Sequence, residues 1–211
     1  HKHKALLIFD EMITGFRYAL GGGQELFNVT PDLATFGKGM ANGYPLSAVV
    51  GSNKIMKKVE DIFFSGTFGG ETLSLAAANT VLDKYKTQQV TKYFNEIGSY
   101  LLERLDALID KEGLNDIFFT SGHPSWSFLH IKGQLQYSDF EIKTFFLQEM
   151  FKRGILTLGS HNISFSHSKE DIDKLLDTYQ VVLPMVKKHI EQQDLLENIH
   201  GDILQPLFKV R

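Results

Sequence analysis

The sequence has 211 residues, of which 43% are hydrophobic and 22% are charged, as is typical of a globular protein with a buried core. The formal net charge of -3 gives no electrostatic reason to expect nucleic acid or a membrane surface as a partner. The absence of cysteine excludes disulfides and thiolate metal sites. No apolar run reaches the roughly 18 residues that a membrane-spanning helix needs. We expect a cytoplasmic protein.

The first predicted element is a strand in "ALLIFDE", a short and continuous apolar run. This pattern is typical of a parallel-sheet strand that is buried on both faces, and it places Asp10 at the C-terminal end of the strand. Natural proteins seldom begin so abruptly with a buried strand. We therefore expect the sequence to be the C-terminal part of a longer protein.

Loops, two short strands and a helix are predicted to follow. The segment 15–32 contains a triple glycine and a Pro-Asp pair, which indicate mainly loop and turn. "LATFG" and "PLSAVVGS" predict strands on either side of Lys38. "SGTFGGET" is a glycine-rich turn, and a helix with small residues on its packed face is predicted from about Thr72.

The pattern changes after Thr87, where apolar residues recur at intervals of three and four up to Gly113. This spacing predicts a long amphipathic helix. Strands are predicted in "FFTSGHPSWSFLHIKG" and "GILTLGSHNISFSH", and the capping boxes "SDFE" and "SKED" each predict the start of a helix. Four aromatic residues of the predicted strands are interpreted as core residues: Phe118, Phe119, Trp126 and Phe128.

These elements predict an α/β fold in two parts. Residues 1–86 are expected to form part of a large α/β sheet domain, and residues 87–211 a smaller α+β domain. No internal repeat or low-complexity segment is visible.

Lys38 lies between two glycines in "TFGKGMANG", and the spacing around it limits its role. A P-loop is excluded, because Gly39 follows the lysine and Asp32 occupies the first required glycine position. A Rossmann fingerprint is excluded because the triple glycine does not directly link a strand to a helix. A lysine that forms a Schiff base is compatible with the pattern, since desolvation would leave its amine partly deprotonated.

Three features in chain order suit pyridoxal phosphate. Asp10 ends a predicted strand where α/β sheets bind ligands, and this cofactor needs a carboxylate at its ring nitrogen. Lys38 follows 28 residues later. "SGTFGGET" offers a hydroxyl and glycine amides to the phosphate. These residues alone leave two alternatives open, a phosphate-ligand-binding module without chemistry and a solvated loop lysine.

"FDEMITGFR", "TPDLATFGKGMANGYPLSAVVG" and "SGTFGGETLSLAAA" together resemble the class III aminotransferases. With "DE" before "GFR", and glycine before the lysine, the chain is most similar to the glutamate-1-semialdehyde 2,1-aminomutase branch. The resemblance implies the C-terminal part of a fold type I (aspartate-aminotransferase-like) enzyme that uses pyridoxal 5'-phosphate. It implies transfer of an amino group from a small-molecule donor to a carbonyl acceptor, or within one molecule, by a homodimer with shared active sites.

The resemblance also implies roles for five residues. Lys38 would carry the Schiff base and then act as acid and base. Asp10 would pair with the pyridine nitrogen, and Met12 would pack on one face of the ring, where the family usually has valine. Gly66 and Thr67 would reach the phosphate of the neighbouring subunit's cofactor.

Each candidate also has a purely structural interpretation. Asp10 is compatible with a helix cap or an ion pair, and Met12 with simple filling of a core gap. Thr67 is compatible with an N-cap of the helix predicted from about Thr72. A structural relic of the fold without catalysis also stays open.

Other residues bear on metal binding and on the class of substrate. His1 and His3 have no further ligand at metal spacing, so we expect no metal site. The family's small domain often carries an arginine for an α-carboxylate, but 154–210 contains none, which leaves semialdehydes, amines and keto-sugar-like substrates open. His161 and Asn162 are candidates for substrate contact. Family members are about twice this length, so we expect these 211 residues alone to be inactive.

Overall fold

The protein is described by a computed structural model that covers residues 1–206. The chain divides into two compact units, His1–Asn95 and Glu96–Arg211. The division falls within a long helix, somewhat beyond the boundary at residue 86 that the sequence pattern suggests. None of the described helices has both the length and the apolar character that a membrane span requires.

The first unit contains a three-stranded sheet in the order β1-β2-β3. Strand β1 (Ile8–Asp10) pairs in parallel with β2 (Leu33–Phe36), which pairs antiparallel with β3 (Ala48–Gly51). The predicted strands are confirmed, but the expected burial of β1 on both faces is wrong, since Ile8 is 56% exposed. The three residues of β1 are exposed, half-buried and exposed in turn, so this unit leaves the strand largely uncovered.

Three helices accompany this sheet: α1 (Gly22–Phe27), α2 (Asn53–Met56) and α3 (Thr72–Thr87). Helix α1 was not expected, because the triple glycine and the Pro-Asp pair of segment 15–32 predicted mainly loop and turn. Helix α3 begins where the sequence predicts and buries the small side chains of Ser74 and Ala78, as expected.

Helix α4 (Val90–Lys111) is the predicted amphipathic helix. The second unit then has an antiparallel sheet of β4 (Phe118–His123), β5 (Trp126–Ile131) and β6 (Ser160–Asn162). Helices α5 (Asp139–Lys152) and α6 (Lys169–Glu191) both begin with the predicted capping boxes.

The second predicted strand segment is mostly irregular. Only three residues of "GILTLGSHNISFSH" form β6. Gly154 and Gly159 have φ values of 77° and 86°, and these left-handed conformations interrupt an extended chain.

The core of the second unit lies between one face of its sheet and α4, α5 and α6, and it includes Phe118 and Tyr179. The expectation for the other aromatic residues is wrong, because Phe119 is 40% exposed and Trp126 and Phe128 are only half-buried. Neighbouring residues of a strand point to opposite faces, so Phe118 and Phe119 cannot share one core.

Candidate active site

Asp10 ends β1, and its carboxylate is oriented from two sides. The Oδ1 atom accepts hydrogen bonds from the amide of Met12 and the hydroxyl of Thr35, each at 3.1 Å. Within residues 1–206 no donor reaches Oδ2, which stays accessible on the exposed side chain. Neither a helix cap nor an ion pair is formed by Asp10 in that part of the chain. One oxygen is therefore held in place while the other is free for a donor from outside.

Lys38 begins a short 3-10 turn, Lys38–Met40, two residues after β2 ends. Strands β1 and β2 are parallel, and Asp10 pairs with Thr35. Asp10 at the end of β1 and Lys38 just after the end of β2 therefore lie at the same edge of the sheet. Lys38 has a φ of 42°, and this left-handed conformation costs a residue with a side chain roughly 1–2 kcal/mol. Strain of this kind is concentrated at functional sites.

The exposure of Lys38 corrects one expectation from the sequence. The sequence pattern suggests a desolvated amine, whereas the side chain is exposed in this chain. The described residues therefore do not supply the desolvation.

Met12 lies against the residue that precedes the lysine. A Cβ atom added to Gly37 would lie 2.5 Å from Cε and 2.9 Å from Sδ of Met12. Gly37 has a φ of -178°, an extended conformation open to any residue, so a larger residue here is limited by space and would require the flexible end of Met12 to move. The half-buried Met12 thus joins the end of β1 to the lysine turn.

The "GFR" motif packs against the end of β2, directly before this turn. The sequence pattern did not predict this role. Phe16 lies between Phe36 and Tyr85, with ring centroids 5.5 and 5.9 Å away. The guanidinium of Arg17 lies 5.3 Å from the ring centre of Phe94. Burial lowers the pKa of Arg17 and raises the pKa of Tyr85, as expected for groups in a packed cluster.

Gly66 and Thr67 lie in an exposed turn before α3. A Cβ atom at Gly66 would meet no other atom within 4 Å. No hydrogen bond, ion pair or ring contact among residues 1–206 links this turn to Lys38 or Asp10. The structure therefore brings Asp10, Met12 and Lys38 to one sheet edge, and it joins neither Gly66 nor Thr67 to them by such a contact.

The structural alternative considered for Thr67, an N-cap of α3, is not what the structure shows, because Glu71 caps that helix. The carboxylate of Glu71 accepts hydrogen bonds from the amides of Leu73 and Ser74 at 2.7 and 2.8 Å. Hydrogen bonds from Ser74 and Leu73 lower the pKa of Glu71. Since a carboxylate already occupies these amides, the start of α3 is a poor phosphate site, and only the turn amides and the Thr67 hydroxyl remain for that purpose.

In the second unit, His161 and Asn162 line a cavity of about 310 Å³. The imidazole of His161 is hydrogen-bonded through Nδ1 to Ser127 at 3.0 Å and through Nε2 to Tyr179 at 2.8 Å. Burial lowers the pKa of His161 to about 4. Both ring nitrogens are engaged, so the geometry favours a structural role over the substrate contact considered for this residue.

Comparison with known proteins identifies the class. The chain matches the family described as "Aminotransferase class-III" over residues 1–179, and it belongs to that family. The structure resembles the FumI protein of Sphingopyxis sp. MTA144, solved in its PLP internal aldimine form, with a TM-score of 0.80 and 27% identity. That match covers 90% of this chain and 45% of FumI. An omega-transaminase from Sphaerobacter thermophilus shares the fold with a TM-score of 0.78 at 22% identity, covering 88% and 45% of the two chains.

Curated relatives include aminomutases and an aminotransferase. The chain is 38% identical over 196 residues to glutamate-1-semialdehyde 2,1-aminomutase of Methanothrix thermoacetophila, covering 86% of this chain and 45% of the relative. Identity to the 3-aminobutyryl-CoA aminotransferase of Cloacimonas acidaminovorans is 30% over 191 residues, covering 89% and 46%. The predicted class III aminotransferase family and the fold type I class are confirmed. The chain spans about half the length of the curated relatives it matches.

Proposed function

We propose that the complete protein is a pyridoxal-phosphate-dependent enzyme that transfers an amino group, as an aminotransferase or an aminomutase. One observation carries the proposal. The parallel strands β1 and β2 bring Asp10 and Lys38 to the same edge of the sheet. One carboxylate oxygen of Asp10 is hydrogen-bonded and the other is free, and the backbone of Lys38 is left-handed. Membership of the class III family and the aminomutase and aminotransferase relatives support it.

The residues at this edge fit the cofactor. The free Oδ2 atom of Asp10 has the charge and hydrogen-bonding capacity for a protonated ring nitrogen, and the thioether of Met12 offers an apolar surface to a ring face. The exposed amine of Lys38 is accessible for covalent attachment. Bound pyridoxal phosphate would supply an electron sink for the bonds of a substrate carbon. Lys38 would then move the proton at that carbon.

An assay of the complete protein with and without an external amino donor such as glutamate tests this function. An aminotransferase consumes the donor, whereas an aminomutase turns over without one. We expect Lys38→Ala to abolish turnover in either case and Lys54→Ala, at an exposed lysine of α2, to preserve it. Unchanged ligand affinity in Lys38→Ala, without turnover in the parent protein, would instead indicate the phosphate-ligand-binding module.

The proposal includes a homodimer in which Gly66 and Thr67 approach the phosphate bound by the partner. Exposed aromatic side chains around this turn support an interface there, since Phe63, Phe64 and Phe68 are 96%, 80% and 78% exposed. We expect Phe64→Ser to shift the complete protein from dimer to monomer in analytical ultracentrifugation. Phe151→Ser, at an exposed phenylalanine of α5, is the control that leaves the dimer intact.

We also propose that the complete protein is cytoplasmic and that the 211 residues alone are inactive. The chain matches about 45% of the length of its relatives, so most of a substrate pocket would have to come from the rest of the protein. Cell fractionation tests the location. Turnover by the purified 211 residues would contradict the second expectation.

A further inference from the structure

Glu11 is an unusual residue for its position. It directly follows Asp10, yet its side chain is only 1% exposed. Its carboxylate accepts hydrogen bonds from the backbone amides of Gly23 at 2.9 Å and Gln24 at 3.0 Å, and from the hydroxyl of Thr14. A buried carboxylate is tolerated only when its oxygens are satisfied in this way.

The triple glycine is shaped around this carboxylate. Gly22 has a φ of 73°, and a Cβ atom there would lie 2.6 Å from Oε2 of Glu11. At Gly23 a Cβ atom would lie 3.4 Å from both carboxylate oxygens. Glycine is therefore required at Gly22, by both its φ and its space, whereas a Cβ atom at Gly23 would make only ordinary van der Waals contact. The glycines therefore allow α1 to begin against Glu11.

These hydrogen bonds close the loop 12–21, which links the end of β1 to α1. Glu11 lies directly before the loop, and its partners Gly23 and Gln24 lie just after it. The amide of Met12 donates to Oδ1 of Asp10, so the position of the loop sets the orientation of the Asp10 carboxylate. The same loop carries the thioether that lies against Gly37.

We propose that Glu11 is a positioning residue, which holds Met12 so that Asp10 and the thioether both face the cofactor site. This inference rests on the proposed function, because it assigns Glu11 a purpose in pyridoxal phosphate binding. Glu11 fixes the loop through the hydroxyl of Thr14 and the backbone amides of Gly23 and Gln24. The Met12 amide transmits that order to Asp10. Its removal changes the site without changing any group that touches the cofactor.

The test compares Glu11→Gln with Glu25→Gln in the complete protein. Glu25 is a matched control, since it is exposed and its carboxylate also accepts a hydrogen bond from this loop, from the amide of Gly21 at 2.6 Å. Two quantities are measured, the dissociation constant of pyridoxal phosphate and amide hydrogen exchange across 12–24. We expect Glu11→Gln to weaken binding about tenfold, since it leaves a backbone donor unpaired, and to speed exchange at Met12.

Thr14→Val, which removes only the hydroxyl donor, supplies a milder variant if Glu11→Gln fails to fold. We expect it to weaken binding by about threefold. A merely structural role predicts lower thermal stability with unchanged cofactor affinity in the folded protein. Equal affinity in Glu11→Gln or Thr14→Val and the parent protein would therefore overturn the inference. Failure of the parent protein to bind pyridoxal phosphate would overturn the proposed function instead.

Discussion

The thioether of Met12 packs against the backbone of Gly37, so these two positions are matched in size. One lies two residues after the candidate cofactor carboxylate and the other directly before the candidate catalytic lysine. A change at either position therefore alters the space beside Lys38.

We expect Gly37→Ala to displace Met12 and weaken pyridoxal phosphate binding in the complete protein by about fivefold, or about 1 kcal/mol. Met12→Val removes the clashing Cε and Sδ atoms. The double variant should therefore recover most of the loss, with a coupling energy of about 1 kcal/mol between the two positions. Fluorescence titration of the cofactor gives all four affinities, and strictly additive effects would contradict the matched packing.

Thr35 is expected to orient Asp10 from the neighbouring strand. Thr35→Val keeps the shape of the side chain but removes the hydroxyl that donates to Oδ1. We expect an affinity loss of about 1 kcal/mol for pyridoxal phosphate. Thr30→Val is the control, since Thr30 is exposed and lies before β2, outside the strands. Equal affinities of the two variants would show that Asp10 does not depend on this bond.

The left-handed backbone of Lys38 predicts an inverted preference between glycine and alanine. At this position Lys38→Gly should be more stable than Lys38→Ala by about 1 kcal/mol in urea unfolding, because glycine adopts a positive φ without strain. At Lys54, within α2, the order should reverse by about 0.5–1 kcal/mol. The same order at both positions would remove the argument for strain at the lysine.

His161 predicts a pH dependence of the second unit. Its pKa in the folded chain is about 4, below the ordinary value of 6.5, because burial disfavours the charged ring. The unfolded chain therefore binds more protons between these values. The stability that the neutral ring contributes is complete above pH 6.5 and is lost as the pH falls towards 4, on the order of 3 kcal/mol in total.

Hydrogen exchange in peptides from β5 and β6 measures this loss across pH 7 to 4, after correction for the intrinsic exchange rate. His161→Phe is the informative variant, since it removes the titrating ring but leaves Ser127 and Tyr179 without their partner. It should be less stable at pH 7 and depend less on pH. An unchanged pH dependence in this variant would assign the titration to another group.

The sequence predicted those elements whose signals are local. The capping boxes at Ser138 and Ser168 place the starts of α5 and α6 because a cap is formed by residues three apart. The start of α3 near Thr72 and the strands beside Lys38 were predicted for similar reasons. The family resemblance of the motifs predicted cofactor roles for Asp10, Met12 and Lys38. The parallel pairing of β1 and β2 brings the segments that carry them together.

Other features depended on contacts that a linear pattern does not contain. The role of the triple glycine follows from the buried carboxylate of Glu11, 11 residues before Gly22. The exposed aromatic residues of the second unit were misassigned because aromatic content alone does not decide which strand face meets the core. The cap of α3 was not predicted, because glutamate is not among the residues that most often cap helices.

The central claim is that Lys38 is the covalent anchor of pyridoxal phosphate. The most direct measurement treats the complete protein with pyridoxal phosphate and borohydride and locates the added mass by peptide mapping. We predict a single adduct on the peptide that contains Lys38, absent from Lys38→Ala and retained in Lys54→Ala. An unmodified Lys38 in folded protein, or an adduct only on other lysines, would contradict the account.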